Sequence, residues 1–210
     1  QRLHRAVRGG QHQQAFQQSL QKIQKEVLGR TWPCWIGGEE VRGKNLFETY
    51  DPGETTRLVG KFQKPTAADA QVAIEKAHAA FPAWANSDVN ERVRIVFAAA
   101  QRMRERKHDF SAMLCHEVGK SWAEADADTA EAIDFLEYYG GQMLRMAAPQ
   151  PVTPVAGERN EMRYIALGVG AIIPPWNFPL AIMAGMTVAA LLAGNTVVVK
   201  PASQSPGIAA

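Results

Sequence analysis

With 210 residues, 46% of them hydrophobic, the chain has enough apolar mass for a sizeable core and is excluded from the disordered class. Its 23 Lys and Arg against 21 Asp and Glu leave a net charge of +2, which excludes the single-sign field of a nucleic-acid or anionic-membrane binder. Two cysteines, Cys34 and Cys115, without Cys-x-x-Cys spacing exclude a disulfide framework and fit small buried side chains in a reducing compartment.

The chain opens on Gln, and residues 1–25 carry Arg2, Arg5, Arg8, Lys22 and Lys25 without an acid, as an organellar targeting segment does, although Ser is scarce. The same stretch sets Phe16, Leu20, Ile23 and Val27 at helical spacing, so 1–30 is read as an N-terminal helical segment docked on the body. The cytoplasm is the expected location, and the targeting reading brings the mitochondrial matrix as the alternative. TWPCWIGGEEV (31–41) then predicts a strand, a turn at Gly37 and Gly38, and a second strand, with a further turn at Asp51, Pro52 and Gly53.

Thr66, with Asp69 three residues on, predicts a capped helix that Pro82 stops. Ser87 or Asp88 opens a long helix to about Lys107, with Val93, Val96, Phe97, Ala100 and Met103 on one face. A helix over 110–118 ends at Gly119, and another spans 123–144. Cys115 lies inside this helical pattern with no cation or glycine turn to activate it and is not expected to be a nucleophile. PQPVTPVAGERNEMRYIALG (149–168) alternates apolar residues among prolines and glycines and predicts an extended hairpin arm that leaves the body and returns.

From Gly168 the pattern becomes a β-α-β unit: GAII as a strand, 178–193 as a helix, Gly194 and Asn195 as a turn, TVVVK as a parallel strand, and a second helix from Ser203. The continuous apolar strands suit a sheet covered on both faces. Within 178–194 only Thr187 is polar, but a membrane span needs about 20 apolar residues, so a buried crossover helix is expected. Ligands in open α/β sheets sit beyond the carboxyl ends of the strands. Pro174-Pro175-Trp176-Asn177 follows the first strand and Lys200-Pro201-Ala202-Ser203 the second, so both are expected at one cleft.

PPWNFPL (174–180) followed by GNTVVVKPAS (194–203) closely resembles the NAD(P)-dependent aldehyde dehydrogenase superfamily. WIGGEEV (35–41), ETYDPGE (48–54), AIEKAHAAFPAWA (73–85) and EVGK (117–120) extend the likeness over most of the chain. EADADTAEAIDFLEYYGGQML (124–144) and PPWNFPLAIMAGMTVAAL (174–191) are most similar to the 1-pyrroline-5-carboxylate dehydrogenase branch. The resemblance implies a Rossmann-type parallel sheet with an extended β-arm. It divides the chain into an incomplete NAD(P)-binding domain over 31–149 and 164–210 and the first strand of an oligomerisation arm over 150–163.

The chemistry so implied is thiolate attack on an aldehyde, with preorganised donors meeting the oxyanion. Asn177 would supply a side-chain donor there; as a residue alone it reads equally as a helix N-cap. Lys200 would bond the adenosine ribose hydroxyls, and Pro174, Pro175, Trp176 and Ala202 would line the dinucleotide site. Ser203 stands where many members carry a Glu that repels a 2′-phosphate, so NAD is expected and NADP stays open beside it. Glu131 is the match for a substrate-side Glu, its alternative being a solvated helix carboxylate. Phe178 would pack on the substrate's methylene chain or in the core.

In the full-length enzyme the resemblance implies oxidation of glutamate γ-semialdehyde to glutamate in proline catabolism, by a homo-oligomer that uses no metal and binds neither nucleic acid nor membrane. The nucleophilic Cys and later catalytic parts are expected beyond GIAA, so the chain alone is expected to be inactive. The alternatives are an aldehyde dehydrogenase of the succinic semialdehyde or betaine aldehyde type, and a non-catalytic assembly module.

Overall fold

Apolar residues at three- and four-residue intervals roll the first described segment into helix α1 (Gly10–Glu26), with Phe16 and Ile23 buried and Leu20 packed beside them. The computed structural model describes residues 10–210; the first nine, with Arg2, Arg5 and Arg8 of the targeting reading, lie outside the described residues. Five short strands follow: β1 (Thr31–Trp32), β2 (Cys34–Ile36), β3 (Glu39–Val41), β4 (Leu46–Asp51) and β5 (Glu54–Gln63). Strands β2 and β3 form the expected hairpin, and Gly37 and Gly38, both at positive φ, make its turn. Strand β5 pairs antiparallel with β4 and parallel with β1, giving the order β1-β5-β4.

Helix α2 (Ala67–Ala85) starts in a full capping box between Thr66 and Asp69. It runs through Pro82 rather than stopping there. Pro82 falls in the last turn, where an unpaired carbonyl one turn back stays near water, and its own carbonyl accepts from the Asn86 backbone and side chain. Asp88, not Ser87, caps α3 (Val89–Glu105), because the Ser87 hydroxyl is turned back onto the Trp84 carbonyl. Helix α4 (Lys107–Val118) ends at Gly119 in the left-handed region. A second capping box, Ser121 with Glu124, opens α5 (Trp122–Ala147).

Helix α5 runs between two packed clusters. One joins Ile23, Met113, Leu114, Ala125, Ala132, Leu180 and Ile208; the other joins Val93, Val96, Ala100, Ile133, Leu136, Val188 and Leu192. Phe97, expected in the α3 core face, is 40% exposed; it lies flat against Gly140, where a Cβ would meet its ring at 2.4 Å. Residues 148–168 are extended and mostly exposed, but the strand expected over 150–163 makes no ladder within the chain, since it meets no partner strand among the described residues. The arm returns at Asn195, whose Oδ1 accepts the Leu167 and Gly168 N–H groups while its Nδ2 donates to Ala190.

Strand β6 (Val169–Ile172), helix α6 (Ala181–Leu192) and strand β7 (Thr196–Val199) complete the β-α-β unit, with β6 and β7 parallel from Val169 beside Thr196 to Ile172 beside Val199. Helices α2 and α6 both pack on this pair. Coverage is partial, however, and Val199 and Ala171 stay exposed. The helix expected from Ser203 is only a 3-10 turn at Gly207–Ala209, because Pro206 disfavours helical dihedrals at Ser205 and sets the start after it. Among the described residues no helix is long and apolar enough to cross a membrane.

Candidate functional site

The register of the parallel pair decides where the two loops begin. Ile172 sits beside Val199 and the Lys200 N–H donates to the Ile172 carbonyl at 2.9 Å, so residues 173–180 and 200–205 leave the sheet at one edge. On this edge Ile173, Pro175, Trp176, Asn177, Phe178, Lys200 and Ser203 are exposed, whereas Pro174 and Ala202 are buried beneath them. An apolar ledge next to an exposed ammonium and hydroxyl fits a nucleotide, with the base against the apolar side chains and the ribose hydroxyls within reach of Lys200.

Helix α6 settles one open choice about Asn177. Its N-cap position is Leu180, which has no capping side chain, and the Ala181 N–H is taken by Asp128 Oδ1 at 2.8 Å. Asn177 is therefore not the cap, and its side-chain amide makes no hydrogen bond among the described residues. Asp128 is fully buried, with Lys120 Nζ 2.9 Å from Oδ2 as an ion pair off the line of a hydrogen bond. The same ammonium lies 4.0 Å from the centre of the Phe178 ring.

Asp128 and Lys120 were absent from the sequence expectations. Asp128 does sit on the buried stripe of α5 with Ala125, Ala132 and Leu136, and an acid on an apolar stripe was the available signal. Glu131, three residues on, is exposed and without a hydrogen bond or ion pair among the described residues. It shares its side of the helix with Asp128 and with Phe135, which packs on Gly185 of α6.

The EVGK stretch supports the second loop as well. Glu117, buried at the end of α4, accepts the Gly207 N–H and, at 2.8 Å, the Ile208 N–H just after the Lys200 loop. Burial, opposed by those two donors, pushes its carboxyl up to about 7. The two thiols are poor nucleophiles. Burial raises Cys34 above the ordinary range and Cys115 to about 11, in each case with help from a carboxylate, Asp69 and Asp51 respectively.

Residues 35–210 match the model of the aldehyde dehydrogenase family. The 1-pyrroline-5-carboxylate dehydrogenase of Bacillus licheniformis is 46% identical over 200 residues, covering 95% of this chain and 39% of that protein. The enzyme of the same name from Geobacillus thermodenitrificans is 49% identical over 198 residues, covering 94% and 38%. A crystal structure of 1-pyrroline-5-carboxylate dehydrogenase from Thermus with bound NAD superposes with a TM-score of 0.92 at 41% identity, covering 96% of this chain and 39% of that one. The chain thus spans about two fifths of the length of the curated relatives it matches. With its α/β fold, its paired loops at one sheet edge and this sequence match, the chain belongs to the aldehyde dehydrogenase family.

Proposed function

We propose that this chain forms the Asn177 and Lys200 part of an NAD(P)-dependent enzyme that oxidises glutamate γ-semialdehyde to glutamate. The observation that carries the reading is an unbonded Asn177 amide emerging at the same strand edge as the exposed Lys200. The names of the most similar relatives support the substrate. A bound nicotinamide would accept the hydride from the substrate carbon.

The residues of this chain orient and stabilise. The Asn177 amide, with no partner to give up, is free to donate to the oxyanion that forms when a thiolate adds to the carbonyl. Cys34 and Cys115 are not that thiolate, since both are held protonated at neutral pH. The nucleophile belongs to a part of the enzyme that this chain does not span, and the 210 residues alone are inactive. Lys200 donates to ribose hydroxyls, Ser203 leaves room for a 2′-phosphate, and Pro174, Pro175, Trp176 and Ala202 shape the floor and wall of the cofactor site. Phe178 packs on the substrate chain and Glu131 borders it. The exposed arm over 150–163 joins copies of the full-length enzyme into a homo-oligomer, which works in the cytoplasm on proline-derived semialdehyde.

The test is steady-state oxidation by the full-length protein of glutamate γ-semialdehyde, succinic semialdehyde and betaine aldehyde with NAD and with NADP. The expected result is the highest kcat/KM with glutamate γ-semialdehyde and turnover with both cofactors. Equal or higher kcat/KM with either other aldehyde overturns the substrate, and no turnover of any aldehyde overturns the enzyme reading.

A further inference from the structure

We infer that Lys120 and Asp128 are positioning residues for Asn177: a buried ion pair at the α4–α5 corner that fixes both the backbone and the aromatic ring of the loop carrying that amide. The inference rests on the dehydrogenase reading of the site and concerns how its oxyanion donor is held.

The loop cannot fix itself. Three of the residues in 173–180 are prolines and bring no N–H, and the helix that follows begins at Leu180, whose side chain cannot accept a hydrogen bond. The missing cap arrives from another helix. Asp128 Oδ1 takes the Ala181 N–H at 2.8 Å, four residues beyond Asn177. Phe178, the neighbour of Asn177, is held on its other side by the Lys120 ammonium 4.0 Å above the ring. One ion pair therefore grips the loop immediately after Asn177 at two points.

Its cost argues for a directional purpose. Asp128 is fully buried and the Lys120 side chain is 12% exposed, so both charges lose most of their hydration. Apolar residues of similar volume would pack there at equal or better stability, but they would set no direction for the Ala181 N–H and no distance for the ring. Oxyanion stabilisation depends on donor placement to a fraction of an ångström, which makes such placement worth its cost. Lys120 also lies three residues beyond Glu117, which anchors the far end of the Lys200 loop. The end of α4 thus holds both loops of the cleft.

The experiment uses the full-length protein with Lys120→Met, Lys120→Arg and Asp128→Asn. Lys120→Met should lower kcat about tenfold or more through misplacement of the donor, with KM for NAD and for the aldehyde within about twofold. Lys120→Arg, which keeps a cation over the ring and beside the carboxylate, should recover kcat to within about threefold of the unsubstituted enzyme. Asp128→Asn keeps an acceptor for the Ala181 N–H and should fall between them. Overturning results are unchanged kcat in both Lys120→Met and Asp128→Asn, or a raised aldehyde KM at constant kcat, which would make Lys120 a substrate-binding residue.

If the unsubstituted enzyme ignores glutamate γ-semialdehyde, the substrate assignment fails alone. The clamp is then read from amide hydrogen exchange. Lys120→Met must speed exchange over 176–183 by about threefold or more, with 89–105 unchanged; equal exchange in both proteins overturns the clamp.

Discussion

Asn177 is notable for what it does not do: in a loop pinned by prolines and by another helix, its amide bonds to nothing among the described residues and caps no helix. A donor kept free in this way is preorganised, and its removal should be felt in the transition state alone. Asn177→Ala in the full-length enzyme should lower kcat by about two to three orders of magnitude with little change in thermal stability; kinetics and a melting curve on one preparation check both halves. Glu117 gives a prediction in pH. Its carboxyl lies near 4.5 unfolded and is pushed to about 7 folded, so the folded state holds the extra proton between those values. Its contribution to stability is therefore greatest below about 4.5, declines as pH rises and levels off above about 7. Denaturation midpoints of the full-length protein from about pH 5 to about pH 8 should show this decline, and Glu117→Gln should flatten it. Asp51 works the other way. Bonded by His116, the Gly53 N–H and Arg57, its carboxyl sits below the ordinary range, so its stabilisation is present above that range and lost only as pH falls well into acid.

At the scale of elements, the capping boxes at Thr66 and Ser121, the Gly119 stop and the turn glycines act within a few residues, which is why the helices and the β2–β3 hairpin were legible in the sequence. Long-range decisions were not. Nothing local tells that Pro82 sits late enough in α2 to be tolerated, or that the arm finds no strand partner in the chain. The two loops of the candidate site were legible because strand polarity dictates where they leave the sheet. Their supports were hidden because Lys120 and Asp128 reach residues more than 50 positions away, as the Asp128 bond to Ala181 does. Arg92 is a further support of this kind. Buried, it donates to Leu192 of α6 at 3.0 Å and to Ser87 at 2.6 Å, with Trp84 beyond, so one guanidinium closes the ends of α2 and α6. Arg92→Met should leave those carbonyls unpaired and cost about 3 kcal/mol, while Arg92→Lys, lacking the fork, should regain only part; chemical denaturation of the full-length protein measures both.

At the scale of the molecule, the β6–β7 pair has free outer edges among the described residues, and Ile165, Leu167, Ile173 and Trp176 are all more than half exposed. Apolar surface beside unpaired strand edges invites pairing with another chain. Expressed as these 210 residues, the protein should run as associated species in size exclusion with light scattering, and a monodisperse monomer would contradict this. The Asn195 fastening has a mechanical consequence for such contacts. Because one side-chain amide ties Leu167 and Gly168 to the end of α6, a pull on the arm is grounded in the helix before it reaches Val169. Whatever grips the arm can therefore tug on it without shearing the two parallel strands, and the cleft keeps its shape while its periphery is under load.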